Sequence, residues 1–157
     1  MSNQTEIKNY THKQLATACF NKVWDLLDKK NRNDEDNEQM IHMCHTSFWH
    51  WTQVEDHTPT NMSVGYWQLA RVYAVVGQGE NALRYAKRCI EISEEAELPA
   101  FFTGYGYEAE ARAHSVLGNH VQKKLALEHA LELLEQVKIE ESKKLLQQDL
   151  DELSETN

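Results

Sequence analysis

Three sets of residues in this 157-residue chain have the types and spacing to do chemistry. The first is the run His42, Cys44, His45 and His50, set among Phe48, Trp49 and Trp51. On a helix His42 and His45 lie close enough to face one metal ion, because residues three apart are surface neighbours. His50 falls on the far side, so further ligands would have to come from Asp56, His57 or His12. The same spacing equally suits imidazoles packed on aromatic rings or left in solvent. Cys44 and His45 are adjacent, and adjacent helical side chains diverge by about 100°, which is poor geometry for a thiolate–imidazolium pair.

The second set is Trp67, Arg71, Tyr105, Glu108 and Arg112. Trp67 and Arg71 are four apart, as are Glu108 and Arg112, so each pair shares a helix ridge. Two arginines presented side by side could clamp a carboxylate, either a peptide C-terminus or an acidic side chain. In the alternative, each arginine is answered by a local acid, and Glu108 is within reach of Arg112. The third set, Arg84, Lys87 and Arg88, reads as a solvated face balanced by Glu80 and Glu91. Neither a GxSxG nucleophile elbow nor a phosphate-cradling glycine loop occurs, and no cofactor is expected.

These residues need elements to position them, and composition says which. Sixteen Lys and Arg against twenty-five Asp and Glu give a net charge of −9. That balance argues against nucleic acid or an anionic membrane surface as the main partner, since both demand a basic face. No apolar run approaches the roughly 20 residues of a membrane span. Three cysteines without a CxxC pair, and a polar opening stretch from Met1 to Tyr10, lead us to expect reduced thiols in a cytoplasm. Ala, Leu, Glu, Lys and Gln dominate the second half, with only two prolines in the chain, so helices packed on helices are expected.

Periodicity and punctuation predict seven helices, at about 11–30, 38–54, 62–76, 80–96, 100–117, 121–137 and 140–153. Asp34 or Asp36 is the expected cap of the second, and the third starts beyond Pro59. Gly77–Gly79 and Gly118–Asn119 mark turns, and Pro99 ends the fourth helix. Such short connections make neighbours antiparallel.

A repeat organises the middle of the chain. Gly65, Tyr66, Ala70, Arg71, Val75 and Gly77 recur 41 positions later as Gly106, Tyr107, Ala111, Arg112, Val116 and Gly118. Ala70 and Ala111 let a partner helix approach, and Ala82, Ala86, Ala126 and Ala130 complete the contact from the second helix of each pair. Tyr73 and His114, three residues after the small one, fill the space between pairs.

On these residues the chain resembles the tetratricopeptide repeat family. Leu69–Ala70, Tyr73, Gly77, Ala82 and Cys89 sit where its small and large consensus positions fall, while Glu110 and Lys123 depart from it. The 41-residue period exceeds the usual 34 by seven, about two helical turns, which keeps the helical phase. This longer period looks like the variant in bacterial regulators that sense peptides or sugars, and the segment 51–88 resembles uncharacterised bacterial proteins of this type. The resemblance implies an all-α fold, a right-handed stack of antiparallel helix pairs forming a single domain. Residues 11–54 would be a divergent leading pair, 62–97 the first repeat, 100–137 the second and 140–153 a capping helix with Leu145, Leu146, Leu150 and Leu153 inward. It also implies a scaffold that binds a peptide or protein segment in its concave groove, with Trp67, Arg71, Tyr105, Glu108 and Arg112 as contacts. A small-molecule or metal-binding enzyme at His42/His45 is the alternative, and a dimer formed through an exposed repeat end is a third.

Overall fold

The computed structural model describes residues 8–156; residues 1–7, most of the polar opening stretch, lie outside it. Among the described residues there are seven α-helices and no strand. They are α1 (His12–Leu27), α2 (Asp34–Gln53), α3 (Pro59–Val75), α4 (Gly79–Glu95), α5 (Ala100–Leu117), α6 (His120–Leu134) and α7 (Glu140–Glu155). Consecutive helices from α1 to α7 pack on one another, α3 also packs on α5, and α7 lies across both α5 and α6.

Local chemistry sets the helix ends. Capping boxes open the first three helices: Thr11 with Gln14, Asn33 with Asp36, and Thr58 with Asn61. Two expected boundaries are thereby corrected. Asn33 rather than an aspartate caps α2, with Asp36 reaching back to the Asn33 N–H. Pro59 opens α3 at its first position, where its missing N–H costs nothing. Helices α3, α4 and α5 close with paired backbone bonds around a left-handed residue: Gly77 (φ 84°), Glu97 (φ 50°) and Gly118 (φ 75°).

Close approach between helices runs on small residues. Ala70, Ala82, Ala86, Ala111, Ala126 and Ala130 are all buried, as the repeat requires. Ala70, Ala86 and Ala109 form one layer between α3, α4 and α5, and Ala74, Ala82 and Ala113 form another. The recurring glycines have a matching role. A Cβ on Gly65 would lie 2.7 Å from the Phe48 ring of α2, and one on Gly106 would lie 2.8 Å from Ile90 of α4. In each case a first helix meets the second helix of the preceding pair, so the repeat extends to the contact between pairs.

Two apolar clusters anchor the ends. Val23, Met40, Cys44, Leu69 and Val72 join the leading pair to α3. Tyr105, Ala130, Leu134, Val137, Leu146 and Leu150 seat α7 on the last pair. Of the four leucines expected inward on α7, Leu146, Leu150 and Leu153 are buried, but Leu145 is 53% exposed. Leu145 stands one residue, about 100°, off that stripe and ends beside a cleft. Helix α2 buries Met40, Cys44 and Ser47. Ser47 is drawn inward because its hydroxyl donates to the Ala16 carbonyl at 2.8 Å.

Candidate functional site

Trp67, Arg71 and Arg112 converge on one carboxylate, that of Glu108. Glu108, on the middle turns of α5, is fully buried. Its Oε2 accepts from the Trp67 indole at 3.0 Å, and its Oε1 accepts from Arg71 at 3.1 Å. Arg112 adds two bonds to the same Oε1, from Nε at 3.0 Å and from a terminal nitrogen at 2.7 Å. The 41-residue spacing explains the first contact: Trp67 and Glu108 are equivalent positions in adjacent repeats, so they face each other where α3 meets α5. Arg71 also lies over the Trp67 ring, 5.3 Å from its centroid.

Helix α7 completes the network. Tyr105 donates its hydroxyl to Asp149 Oδ2 at 2.7 Å, and Asp149 Oδ1 stands 3.6 Å from Arg71. Asp149 was not singled out in the sequence, where nothing indicates that α7 crosses toward α3. The arginines thus hold internal acids, which is the local-pairing alternative extended from Arg112 to Arg71, and the Arg71 Nε is buried without a partner.

Electrostatics follow from this packing. Burial alone would raise the Glu108 carboxyl, but Arg71, Arg112 and the Trp67 N–H outweigh it and hold it below the usual carboxylate range. Burial pushes the Tyr105 hydroxyl up, and the Asp149 carboxylate adds to the effect, so Tyr105 remains a donor at neutral pH. Lys123, the departure from the repeat pattern on α6, is buried; its ammonium donates to Thr156 just beyond α7 and tethers that helix's end.

Beside the network lies an aromatic-walled cleft of about 170 Å³. Trp24 stacks on Trp67 (5.5 Å between centroids), Trp67 meets Tyr105 edge-on (5.3 Å), and Tyr105 meets Phe101 edge-on (5.1 Å). Val64 and Phe102 complete the walls, Ser63 and Cys89 lie at the buried end, and Leu145 and Asp149 of α7 form the rim. Val64 and Tyr105 are again repeat-equivalent positions. A wider cleft of about 630 Å³ continues past Phe101 and Phe102 toward Ile139.

The histidine set is dispersed. The His45 Nε2 is 2.8 Å from the Tyr73 hydroxyl, and the ring packs against Tyr73 and Tyr85. Burial first, and His42 second, lower its pKa, so it is neutral at pH 7. His42 points outward, 3.5 Å from Glu38, and His50 contacts His12 at 2.8 Å. Among the described residues no group of three or more His, Cys, Asp and Glu side chains is placed to hold a metal ion. Burial pushes the Cys44 thiol up to about 12, so it carries no thiolate near neutral pH. The neighbouring aromatic side chains are dispersed too. Phe48 packs on Tyr66 (4.5 Å), Trp67 belongs to the cleft, and Trp49 is 55% exposed.

No helix of the described residues is long and apolar enough to cross a membrane. Neither a family model nor a curated protein matches the chain.

Proposed function

We propose that this protein is a non-enzymatic helical-repeat scaffold of tetratricopeptide type that binds a peptide or protein segment on the face shared by α1, α3 and α5. The observation that carries this reading is the aromatic-walled cleft beside α7. It is apolar, bordered by the exposed Leu145, and has among its walls Val64 and Tyr105, repeat-equivalent positions of successive helix pairs. Pockets of this kind, mostly apolar with a few convergent polar groups, are where ligands bind. The Glu108 network supports the face from beneath: Arg71 and Trp67 tie α3 to Glu108 of α5, Arg71 also pairs with Asp149 of α7, and Arg112 braces Glu108 within α5.

Location in the cytoplasm and a bacterial origin belong to the same reading and rest on the repeat resemblance. The test is selection of binding peptides from a random displayed library, repeated with Leu145→Glu and Phe102→Glu. A concave-face scaffold yields peptides whose binding falls more than about tenfold in both variants, the loss expected when an apolar anchor loses its pocket. Selection of no peptide above background, or of peptides indifferent to both substitutions, refutes it.

A further inference from the structure

The cleft has a polarity that narrows what it takes. We propose that it receives an aromatic ring carried next to an ammonium group, as on a partner segment that presents an aromatic side chain beside an amine; this rests on the peptide-binding reading above. Size argues for one ring, because a cavity of about 150 Å³ suffices for benzene and this one is about 170 Å³. Its walls favour an aromatic guest: Trp24, Trp67, Phe101 and Tyr105 offer faces and edges for stacked and edge-on contact.

The ammonium follows from Asp149. Its Oδ2 is occupied by the Tyr105 hydroxyl, whereas Oδ1 pairs with Arg71 by charge at 3.6 Å, beyond hydrogen-bond range, and keeps an acceptor position for a donor. Arg71 is itself committed to Glu108. A carboxylate oxygen with an open acceptor position therefore stands on the rim of an otherwise apolar cleft, its side chain 20% exposed. An ammonium there gains a charge-assisted bond, and the aromatic faces add cation–π attraction. A carboxylate guest would meet Asp149 with like charge, and the chain's net charge of −9 steers in the same direction.

Three probes of the same shape test this on the full-length protein: phenethylamine, 2-phenylethanol and 3-phenylpropionate. Binding is read from the indole N–H signals in ¹H–¹⁵N spectra. Trp24 and Trp67 line the cleft, and the exposed Trp49 serves as internal control. Phenethylamine should move Trp24 and Trp67 but not Trp49, with a dissociation constant on the order of millimolar for so few atoms. It should bind about threefold to tenfold tighter than the alcohol, the range of one partly exposed ion pair, and the carboxylate should bind weakest. In Asp149→Asn the amine and alcohol should become equal while ring binding persists. Equal affinities for all three probes in the wild type, shifts as large at Trp49 as at Trp67, or an unchanged amine preference in Asp149→Asn would each overturn the proposal. The wild-type series decides it even if the variant does not fold. Peptides that are selected yet lack an aromatic–amine pair would leave the scaffold reading standing and remove this one.

Discussion

Glu108 is the residue whose removal should cost most. It is fully buried and accepts four hydrogen bonds, one from Trp67, one from Arg71 and two from Arg112. Glu108→Ala strips the partner from two guanidiniums whose side chains are only 14% and 19% exposed. Breaking a buried ion pair from one side costs about 3–5 kcal/mol, chiefly because the remaining charge is stranded. At about 2–4 °C per kcal/mol for a chain of this length, that is a fall in Tm on the order of 6–20 °C. Glu108→Gln keeps the shape and one acceptor, but its amide must face the Trp67 N–H, donor against donor, so it should retain only part of the stability.

The pH dependence tests the same network separately. The Glu108 carboxyl is held lower in the folded chain than when unfolded. Its contribution is therefore present above the unfolded value, about 4.3, and is lost as pH falls through the folded value. Urea unfolding followed by circular dichroism from pH 7 down to about 3 should show the gap between wild type and Glu108→Gln narrowing below about pH 4. Replacing the set together, as Arg71→Met, Glu108→Leu and Arg112→Met, should recover much of the Glu108→Ala loss, because it removes the stranded charges. A Glu108→Ala variant within about 0.5 kcal/mol of wild type, the effect of an ordinary surface change, would refute the reasoning.

Other consequences of the packing can be checked more simply. Gly106→Ala places a methyl 2.8 Å from the Ile90 side chain and 3.3 Å from its backbone, so α4 and α5 must separate; a loss of about 1–3 kcal/mol in urea unfolding is expected. Glu97 holds a left-handed conformation at the end of α4, and Glu97→Gly should raise stability by up to about 1 kcal/mol, read as an increase in Tm. Burial pushes the Cys89 thiol up to about 11 and Cys44 to about 12, while Cys19 is half-buried. Maleimide at pH 7 should therefore label one site per native chain, mapped to Cys19 by peptide mass, and three only after unfolding.

The sequence by itself carried the helices and their pairing. Apolar spacing located all seven, and the 41-residue recurrence of Gly65, Ala70, Arg71 and Gly77 announced the close helix contacts. Such features are local or periodic, so they are written in neighbouring residues. The histidine run was legible as a cluster only along the chain. Helical geometry sends His42, His45 and His50 to different surroundings, and the residues each one meets lie far away in sequence. The arginine set was legible as a set, because repeat-equivalent residues must face each other across a stack. Its state was not. Whether Arg71 and Arg112 meet solvent or an internal acid depends on how closely α5 approaches α3 and on where α7 settles. The apolar stripe Leu146, Leu150 and Leu153 drives α7 onto α5 and α6 without specifying what its neighbouring positions touch. Tertiary packing alone brought Asp149 to Tyr105 and Arg71, put Leu145 at the rim rather than in the core, and left a ring-sized cleft between them, because docking a helix settles every face of it at once.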